Sequence, residues 1–197
     1  MVEWSVDALA HVCDRVVMAV PPGFEGGRGD RVAGGGARSE SVLAAVEAAT
    51  EAEAYVVHDA ARPLVTPDLI ERCVAALERG WDGAVAAARV TDTVKEAGRD
   101  GRVSRTLDRS RLWAVQTPQV FRADALRRGL AAGSSALRAA TDDASLVEAA
   151  GGTVGLVEAP TENLKVTRRI DLEAAEALLR ERASSRGPDP PERVVAD

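Results

Sequence analysis

A chain of 197 residues with 46% hydrophobic content can bury one sizeable core and gives no sign of a second. Aromatic residues make up only 3%, so helices packed on a buried sheet, the α/β class, fit the apolar material better than an aromatic-rich β-sandwich. The formal charge of -6, with no clustered Lys and Arg to offset it, excludes a broad nucleic-acid surface, and no apolar run is long enough to cross a bilayer.

Val2, Val6, Leu9, Ala10 and Cys13 share one helical face, and Arg15 to Val20 then reads as a buried strand stopped by Pro21, Pro22 and Gly23. A glycine-rich stretch runs from Gly23 to Gly36. Val42, Ala45, Val46 and Ala49 mark a helix leading into a strand at Tyr55 to His58. Thr66, Pro67 and Asp68 supply a cap, a proline at the first helical position and an early acid, so the pattern predicts a helix to about Arg79, ended by Gly80. Ala84 to Val90 is the next strand. Thr91 to Arg111 is polar and turn-rich, an excursion that spacing alone reads as a solvated insertion rather than a hairpin arm. Trp113 to Gln116 returns to the body as a strand. Thr141 is expected to cap a helix through Leu146 and Val147 to Gly151, followed by a strand at Thr153 to Val157 and a last helix from Asp171 to about Arg182. Residues 183–197 have the composition of a disordered tail, which leaves 1–182 as a single domain. Cys13 and Cys73 lie among apolar residues without metal-ligand spacing and are expected to be buried thiols. Glu3, Asp7 and Asp14 interrupt any apolar leader, so a soluble cytoplasmic protein is expected.

Candidate chemistry gathers at Tyr55-Val56-Val57-His58-Asp59-Ala60-Ala61-Arg62-Pro63, where an apolar strand ends in an acid and an arginine. Ligands of open α/β sheets collect beyond the carboxyl ends of strands; there a carboxylate can hold a divalent cation and a guanidinium can grip phosphate. The alternative is that Asp59 and Arg62 simply satisfy each other. Gly34-Gly35-Gly36-Ala37-Arg38-Ser39-Glu40-Ser41 is a glycine turn entering a helix, able to approach a base or phosphate or to be an ordinary loop. Lys165, in Thr161 to Thr167, could neutralise phosphoryl charge or be an exposed loop lysine.

Taken in order, VVHDAARP, RVTDTVK, TLDRSRLWAVQTPQVF, TDDASLVEAAGG and ENLKVT resemble the 2-C-methyl-D-erythritol 4-phosphate cytidylyltransferase family from about Trp4 to Leu179. The resemblance implies a Rossmann-like nucleotidyltransferase sandwich of three layers with a mostly parallel sheet and a protruding β-arm at about 91–111. It implies transfer of CMP from CTP to the methylerythritol phosphate, with Mg²⁺ and release of pyrophosphate. By motif match, Lys165 and Asp59 are the expected catalytic residues, with Asp59 also at the metal. Arg62, Thr93, Arg109 and Thr141 are the expected grip on the substrate, Thr93 and Arg109 reaching across a homodimer on the arm. Gly35, Gly36 and Ser41 are expected near the cytidine.

The chain departs from the pattern in two places. Gly36 stands where an acidic residue is common, and no strand with a glycine-rich Leu-Pro-Ala-Ala-Gly-type triphosphate loop precedes Trp4. That strand would lie between those at Arg15 to Val20 and Tyr55 to His58, so these two are expected to close up, expose edges or find a substitute, and activity as written is expected to be impaired. A coding start assigned too late, or a shortened piece of an active enzyme, is the simplest account. The others are a naturally shortened, non-catalytic relative and a subunit that binds an intact homologue. Within the enzyme class, the alternative acceptor is ribitol 5-phosphate or another polyol phosphate.

Overall fold

The computed structural model describes residues 1–185. In chain order the elements are α1 (Val2–Ala10), β1 (Val17–Val20), β2 (Asp30–Ala33), α2 (Arg38–Glu47), β3 (Ala54–Val57), α3 (Pro67–Ala75), β4 (Gly83–Arg89), β5 (Lys95–Ala97), β6 (Val103–Thr106), β7 (Trp113–Arg122), α4 (Ala123–Leu130), α5 (Ser134–Ala139), α6 (Asp143–Ala149), β8 (Val154–Glu158) and α7 (Arg169–Ser185).

The two-residue period of the strands builds a three-layer α/β sandwich. On β4, Val85 faces one cluster with Phe121, Leu126, Leu137, Leu146 and Val147, while Ala84 and Ala86 face another with Leu69, Cys73, Leu77 and Val120. Neighbours on β7 divide the same way, Phe121 to one side and Val120 to the other. Helices α2, α4, α5 and α6 therefore cover one face, and α3 with its following 3-10 turn covers the other. Thr66 caps α3 as expected, its Oγ1 accepting from the Leu69 N–H at 3.3 Å.

The main sheet has the order β3-β7-β4-β8. β3 and β4 both run antiparallel to β7, and β8 runs parallel to β4, so three of these four strands point one way. Their carboxyl ends deliver His58, Arg89 and Glu158 to one edge of the sheet, with Asp59 directly after His58. β7 is longer than its apolar start predicts, spanning 10 residues, because its pairing with β3 and β4 continues past Pro118. The register slips between Val85 and Ala87, and this irregularity accommodates a proline that cannot donate to a ladder.

Among the described residues β1 pairs only with β2, in parallel, and this pair is separate from the main sheet. The facing stretches Val17–Val20 and Ala54–Val57 line a common cavity of about 1230 Å³. The two strands have neither closed up nor paired. Strand β2 was hidden in the glycine-rich stretch, where four residues between turns carry too little pattern to be read.

Four other expectations need correction. The cap of α6 is Asp142 and not Thr141, since the Asp142 Oδ1 accepts from the Ser145 N–H at 3.0 Å and a carboxylate suits the positive end of a helix. The polar excursion is an ordered antiparallel hairpin, β5–β6, with every strand residue exposed, as the arm reading requires. Cys73 is fully buried, but Cys13 is only partly so. Helix α7 continues through Ser185, beyond the expected end near Arg182, and the rest of the predicted tail lies outside the described residues.

Candidate functional site

The turn after β3 is held by a closed chain of hydrogen bonds. His58 Nε2 lies 3.1 Å from the Arg62 carbonyl, which can only accept, so the ring proton sits on Nε2. Nδ1 then accepts from the Thr117 hydroxyl at 3.0 Å, and Thr117 Oγ1 in turn accepts from the Asp59 backbone N–H at 3.1 Å. Burial pushes the imidazole down to about 4, against the opposing pull of the Arg62 carbonyl and the Asp59 charge, so His58 is a neutral brace.

This brace presents Asp59. Its Oδ2 lies 2.9 Å from the Lys165 amine and its Oδ1 accepts from Arg38 Nε at 3.0 Å. Burial works against the charge, yet the Lys165 and Arg38 contacts prevail and hold this carboxyl below the usual range. Lys165 reaches the corner because the segment after β8 is tied back to the turn, the Val166 N–H donating to the Ala61 carbonyl at 2.7 Å. Two residues before Lys165, fully buried Asn163 donates through Nδ2 to Gln116 Oε1 at 2.8 Å and to the Thr117 carbonyl at 2.9 Å. The Asn163 carbonyl accepts from Arg62 Nη1 at 2.7 Å. Arg62 Nε is buried without a partner, and burial lowers the proton affinity of this guanidinium despite the nearby charge of Asp59.

Arg38, at the first position of α2, spans the site: while Nε binds Asp59, Nη1 donates to Asp143 Oδ2 at 2.6 Å. Asp143 is fully buried at the start of α6, where burial raises its carboxyl against the pull of Arg38. The two carboxylates offset the cost of burying the guanidinium and strengthen its hold on its proton.

A cavity of about 320 Å³ opens among Arg38, Asp59, Arg62, Val115, Gln116, Thr117, Gln119, Thr141, Asp142 and Lys165. Of the residues singled out from sequence, Asp59, Arg62, Thr141 and Lys165 therefore meet in one place. The Arg62 N–H donates to the Asp59 carbonyl at 2.9 Å, but their side chains do not pair, so the alternative of a carboxylate and guanidinium satisfying each other does not describe this turn. Ser41 lines the larger cavity, which adjoins the smaller at Arg38 and Asp59. Gly35 and Gly36 line neither. The Gly35 N–H donates to Ser41 Oγ at 3.0 Å and the Ala37 N–H to Glu40 Oε2 at 3.1 Å, so the amides expected to face a ligand are occupied by side chains of α2. Thr93 and Arg109 stay on the arm; Arg109 donates to the Thr91 carbonyl at 2.5 Å, and neither residue lines the site of its own chain.

Sequence reading missed Arg38, Asp143, Thr117, Asn163, Gln116 and Gln119. All of them lie inside motifs that it quoted, but their partners lie up to 105 residues away, a separation that no local pattern encodes. The site holds two anion-seeking cations, Arg62 and Lys165, and a carboxylate able to share a cation with an incoming phosphate. Among the described residues no cluster of three His, Cys, Asp or Glu side chains could hold a metal by itself. Both Asp59 oxygens are taken, by Lys165 and Arg38, so this carboxylate could meet Mg²⁺ only where Lys165 gives up Oδ2 and phosphate oxygens complete the shell, the usual habit of that ion.

Comparison with known proteins adds three findings. The family model described as 2-C-methyl-D-erythritol 4-phosphate cytidylyltransferase matches residues 1–181. Proteins of that name from Rubrobacter xylanophilus and Parasynechococcus marenigrum are 56% and 46% identical over 66% and 75% of this chain. The chain spans 57% and 66% of their respective lengths, less than two thirds of each. The crystal structure of the protein of the same name from Thermus thermophilus superposes with a TM-score of 0.78 at 36% identity, covering 90% of this chain and 88% of that one.

Proposed function

The chain belongs to the 2-C-methyl-D-erythritol 4-phosphate cytidylyltransferase family, a family of nucleotidyltransferases, and we propose that it carries out the reaction of that name. An oxygen of the acceptor's phosphate attacks the α-phosphorus of CTP, a new P–O bond forms, and the bond to the leaving pyrophosphate breaks. The protein's task in such a transfer is to align the two phosphates and neutralise the charge that builds on them. The observation that carries this reading is the convergence of Lys165, Asp59 and Arg62 on one small cavity at the carboxyl end of β3.

In this reading Lys165 leaves Asp59 to meet the α-phosphate, and Arg62, with its free Nε, takes the phosphate of the acceptor together with Thr141. Ser41 faces the cytidine in the adjoining larger cavity, and Gly35 braces it by donating its amide to Ser41 Oγ. Mg²⁺, entering on the triphosphate, would be held by Asp59 and would draw charge from the phosphoryl oxygens. Thr93 and Arg109 are proposed to serve the site of a second copy, which makes the enzyme a homodimer through its arm. We place it in the cytoplasm, where both phosphorylated substrates would be found.

Pyrophosphate release with CTP, Mg²⁺ and either methylerythritol 4-phosphate or ribitol 5-phosphate tests the reading. Turnover of the first acceptor above the second is expected. Turnover of the second at an equal or greater rate would reassign the acceptor, and release with neither would overturn the proposal. Sedimentation of the protein and of Arg109→Ala tests the arm: a dimer is expected, with the variant losing acceptor affinity while keeping its affinity for CTP.

A further inference from the structure

Arg38 does more in this molecule than fill a helix start. Its planar guanidinium is divided between two carboxylates, Asp59 on the turn after β3 and Asp143 at the start of α6, so one side chain ties three elements together. Asp143 is the fixed end. It has no exposure, its Oδ1 has no partner, and Arg38 is the group that meets its Oδ2. Asp59 is the working end. Arg38 takes one of its oxygens and Lys165 the other, so the orientation of the carboxylate, and with it the place of the amine, follows from where Arg38 is held. With both its oxygens taken, the Asp59 carboxylate makes no bond to the Arg62 side chain, whose Nε is without a partner although the Asp59 charge acts on it. Arg38 and Asp59 are also the two residues shared by both cavities, which puts the pair on the wall between them.

We propose that Arg38, anchored by buried Asp143, is a positioning residue: it sets the Asp59 carboxylate so that Lys165 is aimed at the reacting phosphate and Arg62 Nε stays free for the acceptor. This rests on the reaction proposed above, but its geometric half can be read without turnover. Lys95 and Lys165 are the chain's two lysines, so protein labelled with ¹³C at the lysine ε-carbon gives two side-chain signals. Asp59→Asn identifies the Lys165 signal and marks its position when the ion pair is broken.

Removing Arg38 alone would strand a buried charge and endanger the fold. The test is therefore the double variant Arg38→Gln with Asp143→Asn, which replaces both ions by amides that can still bond to each other. Expected are a wild-type circular dichroism spectrum, a Lys165 signal displaced toward its Asp59→Asn position, and unchanged Lys95. Expected as well are a kcat lowered about tenfold or more, a raised KM for the acceptor and a KM for CTP within about threefold of wild type, a division that general loosening of the fold would not produce. Arg38→Lys, which keeps the charge but cannot bridge both carboxylates, should fall between, and it takes over as the deciding variant if the double one does not fold. A Lys165 signal that stays at its wild-type position, or a wild-type kcat, overturns the proposal. If the wild-type protein turns over neither acceptor, the reaction assignment fails, while the Lys165 signal still decides whether Arg38 places the amine.

Discussion

The neutral state of His58 makes stability depend on pH in a way that can be worked through. In the folded protein both ring nitrogens are committed, Nε2–H to the Arg62 carbonyl and Nδ1 to the Thr117 hydroxyl. A second proton on Nδ1 would face an oxygen that already donates there, so Thr117 would have to turn its hydroxyl away. The unfolded chain has no such constraint and takes up its proton near 6.5, whereas the folded one holds out to about 4. Between those values the unfolded state binds more protons, so this contribution is fully present above pH 6.5 and is lost as pH falls toward 4. At about 1.4 kcal/mol for each tenfold change in proton affinity, the loss reaches roughly 2 to 3 kcal/mol by pH 4.5.

Asp143, whose carboxyl is raised by burial, acts in the opposite sense, its destabilising charge being relieved as pH falls, so the comparison must hold it constant. Urea unfolding of wild type and His58→Gln from pH 7.5 to 4.5 does so. Wild type should lose about 2 to 3 kcal/mol more than the variant across the series. Parallel curves within about 0.5 kcal/mol would refute the neutral brace and the tautomer assigned to it.

Lys165→Ala should lower kcat by about a hundredfold or more while leaving the unfolding midpoint in urea nearly unchanged, because the amine is about half exposed and Asp59 keeps Arg38. A loss of stability matching the loss of turnover would make the lysine structural. Gly155→Ala would place a methyl group inside the space of the Trp81 ring, and about 1–3 kcal/mol of destabilisation with altered tryptophan fluorescence is expected; an unchanged melt would show that the ring can move aside. Thr66→Ala should cost about 1 kcal/mol through the lost cap of α3, with kcat unaffected, and a kinetic effect would mean that α3 is coupled to the site.

Local chemistry was enough to determine much of this protein. Pro21, Gly80, Thr66 and the apolar runs at Val17, Tyr55 and Ala84 punctuate elements whose order already implies an α/β sandwich, because caps, turns and side-chain periods act over a few residues. The motifs likewise brought Asp59, Arg62, Thr141 and Lys165 to notice. What they could not supply is who bonds to whom. That Asp59 is shared by Arg38 and Lys165 rather than paired with Arg62, and that Gly35 gives its amide to Ser41, follow from the packing of α2 and α6 beside β3. The same holds for the helix cap at Asp142 and the full length of β7, where pairing with two neighbours carries the strand past a proline. Such outcomes belong to tertiary structure because each depends on desolvated groups competing for partners far apart in the chain, and that competition is decided only once the layers have closed.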